Sequence, residues 1–143
     1  QYELTRPGLL PYPITLARPA QRVTLEDAPV EVLGGAPARV LTMPNRIGAA
    51  DWADWVQERA LYMPATADAA WARVLRLADP GEAPNDHALL VAPLGRGAVV
   101  YTSLALFRQL PAGVPGAARL FVNLLAARPE PRAARPAATP ASA

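Results

Sequence analysis

The run Gln57-Glu58-Arg59 sets an amide, a carboxylate and a guanidinium side by side. At the end of a helix the Arg suits the negative pole of the helix dipole, and the triplet reads as a salt-bridged terminus or as a contact to a neighbouring turn or domain. Trp52 and Trp55 precede it. An indole can stack on a sugar face, because it supplies flat apolar area with a polar edge. Their spacing with Val56 instead favours packing in a core or at a domain interface. Arg108 and Gln109 fall between an apolar strand pattern and a helix pattern. Loops beyond strand carboxyl ends are where open α/β sheets bind ligands, and an Arg there can pair with a carboxylate or phosphate. Tying the loop to the core is the favoured role. His87 is the only histidine. A metal needs several converging ligands, and the carboxylates near it are scattered, so it reads as a loop histidine before a strand. Asn45-Arg46 reads as turn chemistry. No complete catalytic set emerges, so the site residues are binding or interface candidates.

Composition narrows the classes. The 143 residues suit about one domain. The 52% hydrophobic content supports a globular core, while no apolar run approaches the roughly 20 residues of a membrane span. With no Cys there is no disulfide, thiol nucleophile or zinc-thiolate site, and the compartment is left open. All 14 basic residues are Arg, interleaved with acids to a net charge of +2. No phosphate-tracking patch results, which argues against nucleic acid.

The elements that must position these residues follow from pattern. Ile14–Leu16, Val30–Leu33, Arg39–Met43 and Ala72–Ala78 read as short strands. Ala49–Ala60 reads as a helix capped by Gly48 and stopped before Pro64. Asp79-Pro80-Gly81-Glu82 has turn chemistry. Leu89–Leu94 is apolar enough for a strand covered on both faces, and Gly95-Arg96-Gly97 returns it to Ala98–Thr102 as a hairpin. Pro115–Ala127 reads as the last helix, with Leu120, Phe121, Leu124 and Leu125 as its buried stripe and Arg119 and Asn123 off it. Arg128–Ala143 is Pro, Ala and Arg without hydrophobic period, and is expected to be a disordered tail. The start at Gln1, already inside apparent structure, reads as a cut from a longer polypeptide.

The motifs form a series: Pro44-Asn45-Arg46-Ile47, Asp51-Trp52, Trp55–Arg59, Asp79–Pro84, Leu90–Gly97 and Tyr101–Gly116. The series resembles the C-terminal region of large bacterial PIG-L (LmbE-like) deacetylase proteins. In these, a zinc-dependent N-acetylglucosaminyl deacetylase domain precedes a class I glutamine amidotransferase-like domain. The resemblance covers residues 1–127. It implies an α/β fold, the C-terminal portion of a flavodoxin-like sheet ending in a β-hairpin and a helix. It also implies a parent hydrolase that removes N-acetyl groups from a sugar derivative, with zinc held upstream. The His-Pro-Asp-Asp-Glu zinc run of that family is absent here, as is the Cys nucleophile of an amidotransferase. The expected role is therefore a non-catalytic accessory domain whose partner is the upstream deacetylase domain of the same chain. The alternatives are a carbohydrate-binding module using Trp52, Trp55 and Arg108, or the second half of an active amidotransferase-like hydrolase.

Overall fold

Strand β6 (Leu89–Leu94) runs between the two apolar clusters of the molecule. Successive side chains of a strand face opposite ways. Leu89 and Val91 accordingly enter one cluster, with Trp55, Met63, Leu75 and Leu120, while Leu90 and Ala92 enter the other, with Ile14, Leu16, Trp71 and Tyr101. The expectation of a strand covered on both faces holds. The computed structural model describes residues 2–36 and 38–129.

Strand β7 (Gly97–Thr102) pairs with β6 from Leu94 opposite Gly97 to Leu89 opposite Thr102. Gly95, at φ +57°, takes the first position of the two-residue reversal, where an L side chain would be strained. On the other side of β6 lies β4 (Ala72–Arg73). Two further pairs complete the β structure: β1 (Ile14–Val23) with β3 (Ala60–Ala67), and β2 (Val30–Val32) with β5 (Leu75–Leu77). Two helices follow, α1 (Leu106–Gln109) and α2 (Pro115–Leu125). The fold is mixed α/β, with small sheets and few helices. Every strand pair among the described residues is antiparallel.

Several expectations are corrected. Residues 49–60 do not form one helix. A 3-10 turn spans Ala49–Trp52, and the chain then runs irregularly to β3. Asp54 and Gln57 take φ of +60° and +67°, which ends right-handed helical geometry, so Gln57, Glu58 and Arg59 do not terminate a helix. Pro64 stops nothing; it sits inside β3, where the pairing with β1 is irregular and tolerates a missing donor. Ile14–Leu16 is only the start of a strand that continues to Val23. Arg39–Leu41 is a 3-10 turn rather than a strand. The 72–78 segment divides at Val74, β4 joining β6 and β5 joining β2. Arg108 and Gln109 lie in α1, not in a long loop. In α2 the buried side comprises Gly116, Ala117, Leu120 and Asn123, while Phe121 is exposed and Leu125 is 73% exposed. The stripe is turned because Asn123 has polar partners to meet inside. Of the expected tail, residues 130–143 lie outside those described.

The turn after β5 fastens the end of β1. Gly81 takes φ +82° and the Glu82 N–H donates to the Asp79 carbonyl at 3.0 Å. The Asp79 carboxylate accepts from the backbone N–H groups of Thr24 and Leu25 and from the Thr24 hydroxyl, at 2.7–3.0 Å. Burial pushes this carboxyl up. The bonds from Leu25 and Thr24, with the Arg22 charge, outweigh it and hold the group below its usual range. A folded-state value below the unfolded one means the stabilisation is complete above about pH 4 and is lost as pH falls through the folded value. Asp79→Asn is expected to flatten the fall in melting temperature between about pH 4 and 2. An unchanged acid limb would show that Asp79 is not so engaged.

Candidate functional site

The sequence candidates converge on the loop between the Ala49–Trp52 turn and β3. Glu58 is 2% exposed, and both its oxygens accept. Arg22, near the end of β1, donates through Nε at 3.0 Å and Nη2 at 2.6 Å to Oε2. Arg108 of α1 places Nη2 3.0 Å from Oε1. Arg108 also donates to the Gln57 side-chain carbonyl. Two guanidiniums on one buried carboxylate make a joint between β1, the loop and α1. With both oxygens so engaged, Glu58 is a fastening point rather than a free acid or base.

Gln109 sits behind this joint, with a side chain that is 0% exposed. Its Oε1 accepts from the Val56 N–H at 2.8 Å. Its Nε2 donates to the carbonyls of Val56 at 2.8 Å and Glu58 at 3.2 Å. A loop with left-handed residues cannot satisfy its own backbone by helical bonds, and this amide supplies the partners. Gln57 is anchored too, its N–H donating to Glu26 Oε1 at 2.6 Å.

Arg59 points the other way, into the core. Its Nε donates to the Ala28 carbonyl at 2.9 Å and its Nη1 to the Trp52 carbonyl at 2.6 Å, and the guanidinium lies 5.6 Å from the Trp55 ring centre. Burial lowers its pKa, with Asp27 acting in the opposite sense, and an Arg remains charged throughout. Trp52 and Trp55 are 5.3 Å apart and inclined at 38°. Trp55 is 3% exposed and donates Nε1–H to the Asp51 carbonyl at 3.0 Å, so its faces are used for packing. Trp52 is half-buried at the mouth of a cleft of about 390 Å³ that Glu26, Asp27, Asp54 and Arg59 also line.

All seven candidates therefore lie in one neighbourhood, with Arg108 and Gln109 tying α1 to the 56–58 segment, a different loop from the one they were expected to occupy and fasten. Sequence reasoning missed Arg22 and Glu26, because nothing in their local pattern marks them as partners of residues more than 30 positions away. It also placed Asn123 off the buried stripe. Asn123 is 0% exposed, accepts from the Asn45 N–H at 2.9 Å and donates to the carbonyls of Val40 and Asn45 at 2.9 and 2.7 Å. Asn45 sits in a bend, but its side chain reaches across to Arg119 and Asn123 of α2 rather than satisfying the backbone of its own turn. His87 lies apart from the site. Its Nε2 accepts from Arg73 Nε at 3.1 Å, which leaves Nδ1 to donate to the Pro64 carbonyl at 3.1 Å. Among the described residues no three His, Asp or Glu side chains converge as metal ligands, and no helix is long and apolar enough to cross a membrane.

No family model, curated protein or solved structure matches the chain.

Proposed function

We propose that the chain is a non-catalytic accessory domain of a bacterial PIG-L/LmbE-type deacetylase. The zinc-dependent N-acetyl-sugar hydrolysis belongs to a domain upstream, which this domain packs against and helps to orient. The single observation that supports this reading is where the quoted motifs meet. Gln57 and Glu58 take Arg108, the Val56 N–H donates to Gln109 Oε1 at 2.8 Å, the Ala105 N–H donates to the Arg59 carbonyl at 2.8 Å, Gly116 lies against the Asp51 backbone, and Leu90 pairs with Tyr101. Segments that are separated in sequence thus contact one another, as a single packed accessory domain requires. The flavodoxin-like assignment is part of the same proposal, and its parallel strands would lie in the upstream part of the parent.

The carbohydrate-binding alternative is weakened by Trp55, whose ring is buried, and rests on Trp52 and its cleft alone. The decisive measurement has two arms. The isolated chain, incubated with zinc and N-acetylglucosamine derivatives, is expected to release no acetate. The sequence encoded upstream of Gln1 is expected to carry a His-Pro-Asp-Asp-Glu type zinc run. Turnover by the isolated chain, or an upstream sequence without that run, overturns the proposal.

A further inference from the structure

A second polar cleft, of about 570 Å³, lies away from the Glu58 joint and is lined by Gln21, Arg73, Arg76, Asn85, Asp86 and His87 among others. Its wall is built rather than loose. Asn85 is buried, donating to Gln21 Oε1 and to the Pro64 carbonyl at 2.8 Å each, while its own Oδ1 accepts the His87 N–H at 2.7 Å. The imidazole is held at both nitrogens, Nδ1 by Pro64 and Nε2 by Arg73. Fixing Nε in this way orients the Arg73 guanidinium and leaves its terminal nitrogens for something else.

The charges in the cleft are unequally matched. Arg76 donates through Nε and Nη2 to the two oxygens of Asp86 at 2.6 and 2.8 Å. That pairing is the main reason the Asp86 carboxyl lies below its usual range; burial opposes it, and the charges of Arg76 and Arg73 assist. Glu31, from β2, also faces Arg76. Arg73 makes no ion pair among the described residues, and its Nη groups donate to no protein atom there. The carboxylate that lines the cleft is thus engaged by Arg76, and the exposed, pre-oriented Arg73 guanidinium stands near it with no carboxylate bonded to its Nη groups among the described residues.

We propose that this cleft binds a small oxyanion, a carboxylate or a phosphate. The Arg73 Nη pair is the principal donor, and Gln21 lines the approach. A guanidinium offers two parallel N–H groups that match two oxygens of such a group, and this fork distinguishes Arg from Lys. The site is independent of the deacetylase reading: it stands or falls on Arg73 and His87.

His87 supplies the probe. As the only histidine, its ring resonances identify themselves in a proton–nitrogen spectrum of the full chain. Inorganic phosphate and acetate are titrated separately at constant ionic strength. The His87 ring signals are expected to move and saturate, and the anion that saturates at lower concentration assigns the phosphate or the carboxylate source. Arg73→Gln is expected to weaken this binding by about tenfold or more, while Arg96→Gln, in the exposed hairpin turn, leaves it unchanged. Arg73→Lys retains the charge without the fork, and is expected to bind several-fold more weakly than the native chain. Shifts that stay linear with both anions overturn the proposal. So does a saturation curve that neither Arg73 substitution changes; if Arg73→Gln fails to fold, the lysine variant decides.

Discussion

Gly116→Ala is expected to destabilise the protein by about 3 kcal/mol, near the upper end of what an overpacked core methyl usually costs. Gly116 lies in the first turn of α2, directly against the backbone of Asp51. A Cβ built there overlaps the Asp51 carbonyl oxygen, its Cα and its carbonyl carbon. Those are backbone atoms, so no side-chain rotation relieves the overlap. Retreat of α2 is also resisted. Arg119 holds the Asp51 carboxylate and donates to the Arg46 carbonyl at 3.0 Å, and Asn123 is bonded to Asn45 and Val40 on the same side. The strain therefore falls on the Ala49–Trp52 turn that positions the two tryptophans. In urea the midpoint is expected to drop with an unchanged slope, and the melting temperature to fall by roughly 10 °C. Gly97→Ala is the control, because its nearest atom beyond its chain neighbours, the Leu94 carbonyl oxygen, lies at an ordinary 3.6 Å. If both variants melt like the native chain, α2 does not sit this close to Asp51.

The elements legible in the sequence are those whose signals are local. The β6–β7 hairpin combines an apolar run with a glycine turn, and the start of α2 is marked by Pro115, whose missing N–H is harmless there. The Asp79–Glu82 turn was equally plain. Residues 49–60 misled because Trp52, Trp55 and Val56 have helical spacing, yet the chain there is committed to long-range partners. Val23 and Leu104 pair with Ala60, and Gln109 takes the Val56 backbone. Tertiary hydrogen bonds of this kind override a pattern that favours helix only weakly. The site is divided in the same way. Residue types marked Glu58, Arg59, Arg108 and Gln109 as worth attention, but not what they hold. Arg22 belongs to the joint through the pairing of β1 with β3, which brings it beside Glu58, and no short-range motif encodes that proximity. Asn123 shows the converse: a polar residue reads as the outer side of a helix, yet this one is buried because the turn at Asn45 takes its amide.

Substitution of Gln109 carries the second large effect, and two replacements separate its causes. Gln109→Leu keeps much of the volume but leaves the Val56 N–H and the Glu58 carbonyl without their partner, while the Val56 carbonyl keeps only the Glu58 N–H at 2.8 Å. Each buried group so stranded costs about 1–3 kcal/mol, and partial access of water at Val56 brings the sum to about 3–4 kcal/mol. Gln109→Glu retains the acceptor for the Val56 N–H but turns the donor into an oxygen facing two carbonyls, next to buried Glu58. At neutral pH this is expected to exceed the leucine variant, because an uncompensated charge replaces an uncompensated dipole. The sign of its pH dependence follows. Burial among carbonyls raises the new carboxyl's folded-state pKa above its unfolded value, so the folded state binds its proton more tightly. Stability relative to the native chain therefore recovers as pH falls and is lost as pH rises through the raised value. Once protonated, the carboxyl again donates to the Val56 carbonyl. Urea unfolding of the native chain and both variants, compared at matched pH from about 7 down to 5, reads this directly. A leucine variant more damaging than the glutamate variant at pH 7, or a glutamate deficit that does not shrink with acid, would show that the amide does not hold the Glu58 loop in this way.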